Sequence, residues 1–258
     1  MHTNSTASSP PSKGCIIVTG ASRGIGATIA LGLAQAGFDV GCLSRTGDLP
    51  HIDHAASDIK QRWHAAKCDV SQGQQLEQAF TEIAKKSGKP LIGLVNNAGI
   101  HSQDRIESIT EDEFRRVMDV NAYSVLAASQ AIYPHLLNNQ GGLIVNIGSF
   151  FDKLGIKQHL LYCAAKAAVG AMTRCMAVEW ASKGIRALNV APGYIMTDLN
   201  RDAMQTGPLA AYLSKRIPGG KPGQAEDVGN LVTSLFVLDS PFMTGETIYI
   251  DGAHGMLG

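Results

Sequence analysis

The pattern that most restricts this chain is a repeated alternation of two kinds of segment. Short apolar runs rich in β-branched residues lie at 15–19, 38–44, 62–68, 91–95, 142–147, 185–191 and 247–250. Longer segments at 24–36, 72–87, 111–138, 158–183 and 225–239 carry apolar residues at helical spacing. Strands that are apolar residue after residue must be covered on both faces. That is the mark of parallel strands joined by crossover helices. The expected fold class is α/β, with a doubly wound, seven-stranded parallel sheet flanked by helices in one domain.

Local signals agree with this reading. Gly37 stands where a left-handed cap would close the first helix. Thr110-Glu111-Asp112-Glu113 reads as a capping box for the helix that starts there. Residues 46–61 hold Gly47, Pro50 and little periodicity, so at most a short helix is expected. Residues 198–223 are rich in Gly and Pro and read as an irregular insertion near the substrate. The polar stretch 1–13 has two prolines and no apolar core, so it reads as a tail before a domain at 14–258.

Composition narrows the partners. The chain has 258 residues, with 22 basic and 22 acidic side chains and a net charge of zero. That leaves no basic surplus for nucleic acid or an anionic membrane, and neither is an expected partner. The five cysteines form no C-x-x-C pair and fit reduced, mostly buried thiols in a cytoplasmic protein. Cys163 beside Tyr162 is a weak candidate nucleophile. No metal is expected.

The first strand runs into Thr19-Gly20-Ala21-Ser22-Arg23-Gly24-Ile25-Gly26 and then a helix. Glycines between a strand and a helix let a ligand approach the backbone, and the helix N-terminus offers free N–H groups to phosphate. The spacing G-x-x-x-G-x-G differs from the commoner G-x-G-x-x-G, but the strand–loop–helix context points to a dinucleotide. At the end of the second strand an acid would select NAD and a cation NADP. The chain has Ser44-Arg45-Thr46 there, with Arg23 in the glycine loop as a second cation. NADP(H) is the expected cofactor.

The glycine loop, Asn96-Asn97-Ala98-Gly99, Asn121, Ser149, Tyr162-x-x-x-Lys166 and Pro192-Gly193 fall in the order and approximate spacing of the short-chain dehydrogenase/reductase family. The resemblance covers residues 14–252. It implies a Rossmann-type fold and hydride exchange between NADP(H) and a ketone or secondary alcohol. It also implies a catalytic set of Asn121, Ser149, Tyr162 and Lys166. Gly20, Ser22, Gly24, Ile25 and Gly26 would flank the pyrophosphate. Asp69 and Val70 would meet the adenine. Asn97, Ala98 and Gly99 would flank the adenosine ribose. Pro192, Gly193, Ile195 and Thr197 would meet the nicotinamide side, and Lys166 its ribose. Asn121 would hold a water that relays protons to the lysine. Tyr162 and Lys166 sit one helical turn apart and share a face. A lysine beside the tyrosine should favour the phenolate, so that Tyr162 can exchange a proton with the substrate oxygen.

The substrate pocket should lie above the carboxyl ends of the strands. Candidates are His101, Ser149, Phe150, Phe151, His159, Tyr162, Tyr194 and the insertion at 198–217, with an apolar wall from the two phenylalanines. No obvious arginine stands in the expected pocket, so a strongly anionic reacting end is not demanded. Reductases of 3-oxoacyl chains on acyl carrier protein and sugar-acid dehydrogenases are the nearest subgroups in resemblance. The turn Leu137-Asn138-Asn139-Gln140-Gly141-Gly142 has no cation, and the catalytic helix has Glu179-Trp180 where the carrier-protein enzymes resemble one another in carrying arginine. That argues against docking an acidic carrier. A cofactor-binding sensor without turnover is the alternative of another class, disfavoured because all four catalytic positions are filled. The family also implies a homo-oligomer, a dimer or tetramer, built through the helices at 111–138 and 158–183.

Overall fold

The chain's computed structural model describes residues 13–238 and 240–256. The elements alternate as expected: β1 (Cys15–Thr19), α1 (Gly24–Gln35), β2 (Asp39–Ser44), α2 (Ser57–Lys60), β3 (Trp63–Lys67), α3 (Gly73–Ser87), β4 (Leu91–Asn96), α4 (Glu111–Met118), α5 (Ser124–Asn138), β5 (Gly142–Ile147), α6 (Leu160–Trp180), β6 (Ile185–Pro192), β7 (Ile195–Met196), α7 (Arg201–Gln205), α8 (Gly207–Arg216), β8 (Gly223–Gln224), α9 (Ala225–Val237) and β9 (Thr247–Ile250). The main sheet has seven strands in the order β3-β2-β1-β4-β5-β6-β9, and every pair is parallel. The tail expected at 1–13 falls, but for Lys13, outside the described residues.

Alternation along each strand supplies two cores. Ile16, Val18 and Val145 face α1 and α9, where Ile29, Leu33, Val228, Val232 and Leu235 cover them. Ile17, Leu94 and Ile144 face α3, α5 and α6, where Phe80, Ile83, Ile132, Leu136 and Met176 cover them. Gly37 adopts φ +93 just beyond α1, as its place predicted. Thr110 caps α4 by accepting the Glu113 N–H at 3.2 Å. The reciprocal half of that capping box is missing, because Glu113 pairs with Arg116 instead.

Two sequence expectations are corrected. The segment 111–138 is not one regular helix: a wide π turn at Asp119–Tyr123 separates α4 from α5 and sets Asn121 inward. Such turns gather at functional sites. The segment 198–223 is not irregular. It forms α7 and α8, and their residues Met204, Leu213 and Ile217 close a small core with Tyr194, Met196 and Leu209. Pro208 lies in the first turn of α8, where proline is tolerated, so what looked like a breaker is a helix start. The strands β7 and β8 pair in parallel and tie the base of this insertion to the segment after β6.

A row of polar residues crosses the buried middle of the sheet. Asn96, Asn146, Asn189 and Thr247 sit opposite one another on β4, β5, β6 and β9. Asn96 donates to Asn146 at 2.9 Å and to Ser129 of α5 at 3.3 Å. Asn146 donates to Thr173 of α6 at 2.8 Å, and Asn189 donates to Thr247 at 3.1 Å. The row pins α5 and α6 to the strands whose ends carry the candidate site. Replacing Asn146 by Ala takes away the shorter of the two bonds of the Asn96 amide and the bond to Thr173, and leaves a void. The chain should lose about 2–4 kcal/mol of stability. An unchanged urea midpoint would show that the row carries no stability.

Candidate active site

The sheet order reverses between β1 and β4. Loops leaving these two strands diverge, which opens a crevice at the carboxyl edge of the sheet. Hydrogen bonds stitch the crevice floor. The Thr19 hydroxyl accepts the N–H groups of Asn97 and Ala98 at 2.9 and 3.0 Å. The Asn97 amide donates back to the carbonyls of Thr19 and Gly20 at 2.9 and 3.1 Å. Gly20 and Gly24 both adopt positive φ, +65 and +55. A Cβ on Gly26 would strike the Gly20 carbonyl and the Asn97 amide. The glycines are therefore demanded by the turn itself as well as by any ligand. Arg23, at the N-cap of α1, makes no side-chain cap bond. The first N–H groups of α1 thus have no side-chain partner at the cap and suit a phosphate.

Beside this loop, the Ser44 hydroxyl accepts the N–H groups of Gly47 and Asp48 at 2.9 and 3.0 Å. That turn carries Arg45 and Thr46. The His51 N–H donates to the Ser22 carbonyl at 2.8 Å and draws the same loop over the glycine loop. Arg23 and Arg45 are exposed, and neither makes an ion pair among the described residues. Val70 is buried, and the Asp69 carboxylate accepts from the Ser71 N–H and hydroxyl at 3.0 and 2.8 Å. On the far side, Gly193 packs on Asp251, and the Asn200 side chain bonds both the Thr197 N–H and the Ile195 carbonyl. Gly24 lies against Thr197. The glycine loop and the segment after β6 thus face each other. Asn200, which holds that segment, was not foreseen.

Ser149 follows β5 and opens a 3-10 turn at Phe150–Lys153, accepting the Phe151 N–H at 3.2 Å. Strand β9 braces this turn, because the Tyr249 hydroxyl donates to the Asp152 carboxylate at 3.0 Å. Tyr162 and Lys166 stand one turn apart on α6. Lys166 is only 5% exposed, and its Nζ donates to the Ile147 carbonyl at 2.7 Å. A side chain on Gly99 would meet Asn121 Oδ1 at 3.0 Å and Lys166 Nζ at 3.8 Å, so these two groups border one small space. The Asn121 side chain itself is committed to Ile100, accepting its N–H and donating to its carbonyl, each at 2.8 Å. The His101 and Phe151 rings lie 5.0 and 6.0 Å from that of Tyr162. The His159 ring lies 4.7 Å from His101 and 5.6 Å from Phe151, and its Nδ1 is 3.0 Å from the Ser102 carbonyl. Every candidate near the tyrosine is therefore brought to one place.

The proton affinities depart from expectation. Burial pushes the Tyr162 phenol up, while its interaction with Ser149 pulls it down. Lys166 does not win here: its Nζ points to Ile147, 5.6 Å from the tyrosine ring centre. Burial also lowers Lys166 itself, to about 8. His101 is lowered by burial and then by His159. Cys163 is raised by burial, which argues against the nucleophile reading. Among the described residues no group of three or more His, Cys, Asp or Glu converges as metal ligands, and no helix is long and apolar enough to cross a membrane.

The sequence singled out no arginine for the pocket, yet one lines a neighbouring cavity. A cavity of about 170 Å³ is lined by Phe150, Phe151, Tyr194, Tyr212, Arg216 and His254, among others. Arg216 ends α8 inside the supposed irregular stretch. His254 follows β9 in a glycine-rich segment that has no periodic signal.

The comparisons agree with this geometry. A family model described as enoyl-(acyl carrier protein) reductase matches residues 20–254. A 3-oxoacyl-[acyl-carrier-protein] reductase, FabG, of Staphylococcus epidermidis is 32% identical over 243 residues, covering 93% of this chain and 98% of that protein. A 2-dehydro-3-deoxy-D-gluconate 5-dehydrogenase of Bacillus subtilis is 31% identical over 236 residues, 92% of each. The structure of a gluconate 5-dehydrogenase from Burkholderia cenocepacia, in complex with NADP and tartrate, superposes with a TM-score of 0.84 at 29% identity, covering 96% of this chain and 97% of that one. With its parallel sheet, its glycine loop and its matching relatives, the chain belongs to the short-chain dehydrogenase/reductase family of oxidoreductases.

Proposed function

We propose that the protein is an NADP(H)-dependent oxidoreductase that interconverts a ketone and a secondary alcohol, with Tyr162 as the acid and base. The observation that carries this reading is the convergence of Ser149, Tyr162 and Lys166 at the carboxyl edge of the sheet, beside a glycine loop that no larger side chain would fit. The residues fit a nicotinamide dinucleotide. The glycine turn and the first N–H groups of α1 would hold its pyrophosphate. Arg45 and Arg23 would hold a 2′-phosphate, since both are exposed cations without an ion-pair partner. When bound, the cofactor supplies or accepts the hydride.

The protein's own groups handle position and proton. Burial keeps the Tyr162 phenol protonated at neutral pH, so it is set to give a proton to a ketone oxygen. Ser149, whose hydroxyl interacts with Tyr162, polarises the same oxygen. Lys166, fixed by Ile147 and bordering the same space as Asn121, would hold the cofactor's ribose. With its side chain committed to Ile100, Asn121 would take part in a water relay through its main chain. The named relatives divide between carrier-linked oxoacyl chains and sugar acids. The structure adds nothing basic to the turn after α5, which favours a small free substrate. Tyr123, Leu126, Leu160 and Val178 are exposed apolar residues along the π turn, α5 and α6, and they support a homo-oligomer built on those helices.

Three outcomes test this reading. Tyr162→Phe should keep NADPH binding and lose roughly 100-fold or more in turnover; full activity would refute the assigned role. Arg45→Ala should weaken NADPH by roughly 10- to 100-fold while leaving NADH nearly unchanged, from the strength of charge-assisted bonds. Equal losses would remove Arg45 from the cofactor site. The third concerns pH. Lys166 has its folded pKa lowered to about 8 from 10.5, so the unfolded chain binds more protons between these values. Its burial penalty is full below pH 8 and gone above 10.5. Melting of the cofactor-free protein and of Lys166→Met should therefore differ most near pH 7, with the difference shrinking as pH rises past 8. A gap independent of pH would mean that Lys166 does not titrate in that window.

A further inference from the structure

The cavity beside the candidate catalytic residues has a distinct chemical character. Its walls are aromatic. Phe150 packs 4.9 Å from Phe151 and 5.6 Å from Tyr194, and Tyr194 stacks on His254 at 5.5 Å. Tyr212 closes on His254 at 6.2 Å. Phe151 and Tyr194 connect the cavity to the catalytic tyrosine, since Phe151 touches both Tyr194 and Tyr162. The volume, about 170 Å³, takes a group of roughly one six-membered ring.

Two polar groups interrupt this apolar lining. His254 is only 8% exposed, and its Nδ1 is buried with no hydrogen-bond partner among the described residues. A buried ring nitrogen left unpaired is costly and calls for a partner. Burial, and then the neighbouring Arg216, hold this imidazole below its usual pKa, so it offers a hydrogen bond rather than a charge. Arg216 supplies the charge. It lines the cavity and has no ion-pair partner among the described residues. Asp251, whose charge also reaches His254, accepts the N–H groups of Ala253 and Gly255, both at 2.9 Å. Arg216 is exposed, and a guanidinium at the edge of an aromatic pocket suits a carboxylate, which it binds through two parallel N–H groups.

We propose that Arg216 and His254 form a carboxylate subsite, so that the substrate is a small keto acid or hydroxy acid with a compact, ring-sized apolar body between its two ends. This rests on the reading of Tyr162 as the reacting end. The body would lie among Phe150, Phe151 and Tyr194, and the carboxylate would face Arg216. A long acyl thioester gains nothing from Arg216, because its neutral chain offers the guanidinium no anion.

The test separates the subsite from the reaction. Cyclohexanecarboxylate and cyclohexanecarboxamide are titrated calorimetrically into the full-length protein, with and without saturating NADPH. The carboxylate should bind at least roughly 10-fold tighter than the amide, and Arg216→Gln should lose roughly 10- to 100-fold of that affinity. Lys215→Gln, one residue earlier on α8 and outside the cavity lining, should retain it. His254→Phe keeps the ring packing and should lose a smaller factor. Equal affinity for acid and amide, no binding of either, or an Arg216→Gln protein that binds as the wild type does would each overturn the subsite. Turnover of 4-oxocyclohexanecarboxylate with NADPH is then measured separately. Carboxylate binding that depends on Arg216, without turnover, would leave the subsite standing and count against the oxidoreductase reading instead.

Discussion

The exchange of hydrogen bonds between Thr19 and Asn97 is the interaction on which the rest of the site depends. It joins the ends of β1 and β4, the two strands at which the sheet changes direction. Four bonds between two short side chains and the backbone hold the Gly20 turn against Ala98. Without them the glycine loop would have no fixed relation to the strands that carry Ser149 and the segment after β6. The polar row Asn96–Asn146–Asn189–Thr247 continues the same logic one residue deeper. It fixes the strand ends relative to α5 and α6, and so fixes Tyr162 and Lys166 relative to the loop. Polar side chains in a buried sheet are tolerable because nearly all of their groups are paired.

Charge is distributed in two opposite ways. Arg23 and Arg45 stay in water, where a cation is stable without a partner. Lys166 is buried, and desolvation outweighs its attraction for the nearby phenol, so both groups shift toward their neutral forms. The tyrosine is therefore kept as an acid. The lysine holds its place through a carbonyl bond as much as through charge.

Much of the fold was legible because fully buried parallel strands write continuous apolar runs, and those runs need no knowledge of the neighbouring strand. The glycine loop was legible from its strand–loop–helix context, whereas Ser149 and the Tyr162–Lys166 pair stood out through the resemblance to the family's motifs. What escaped depends on distant contacts. The strands β7 and β8 are two residues each and exist only as a pair. The helices α7 and α8 were hidden by Gly207 and Pro208, which end one and start the other. The π turn around Asn121 has no local signature. Arg216 and His254 are 38 positions apart in numbering, and only the packing of α8 over the segment after β9 puts them at one cavity.

His254 and Tyr249 tie the cavity to the last strand of the sheet. Strand β9 joins the edge beside β6, its Tyr249 braces the turn after Ser149 through Asp152, and the segment behind it lines the cavity. The glycine loop depends on neither, since its bonds run between β1 and β4. Fraying of the β9 edge would therefore loosen the cavity and the Ser149 turn together while leaving the glycine loop intact.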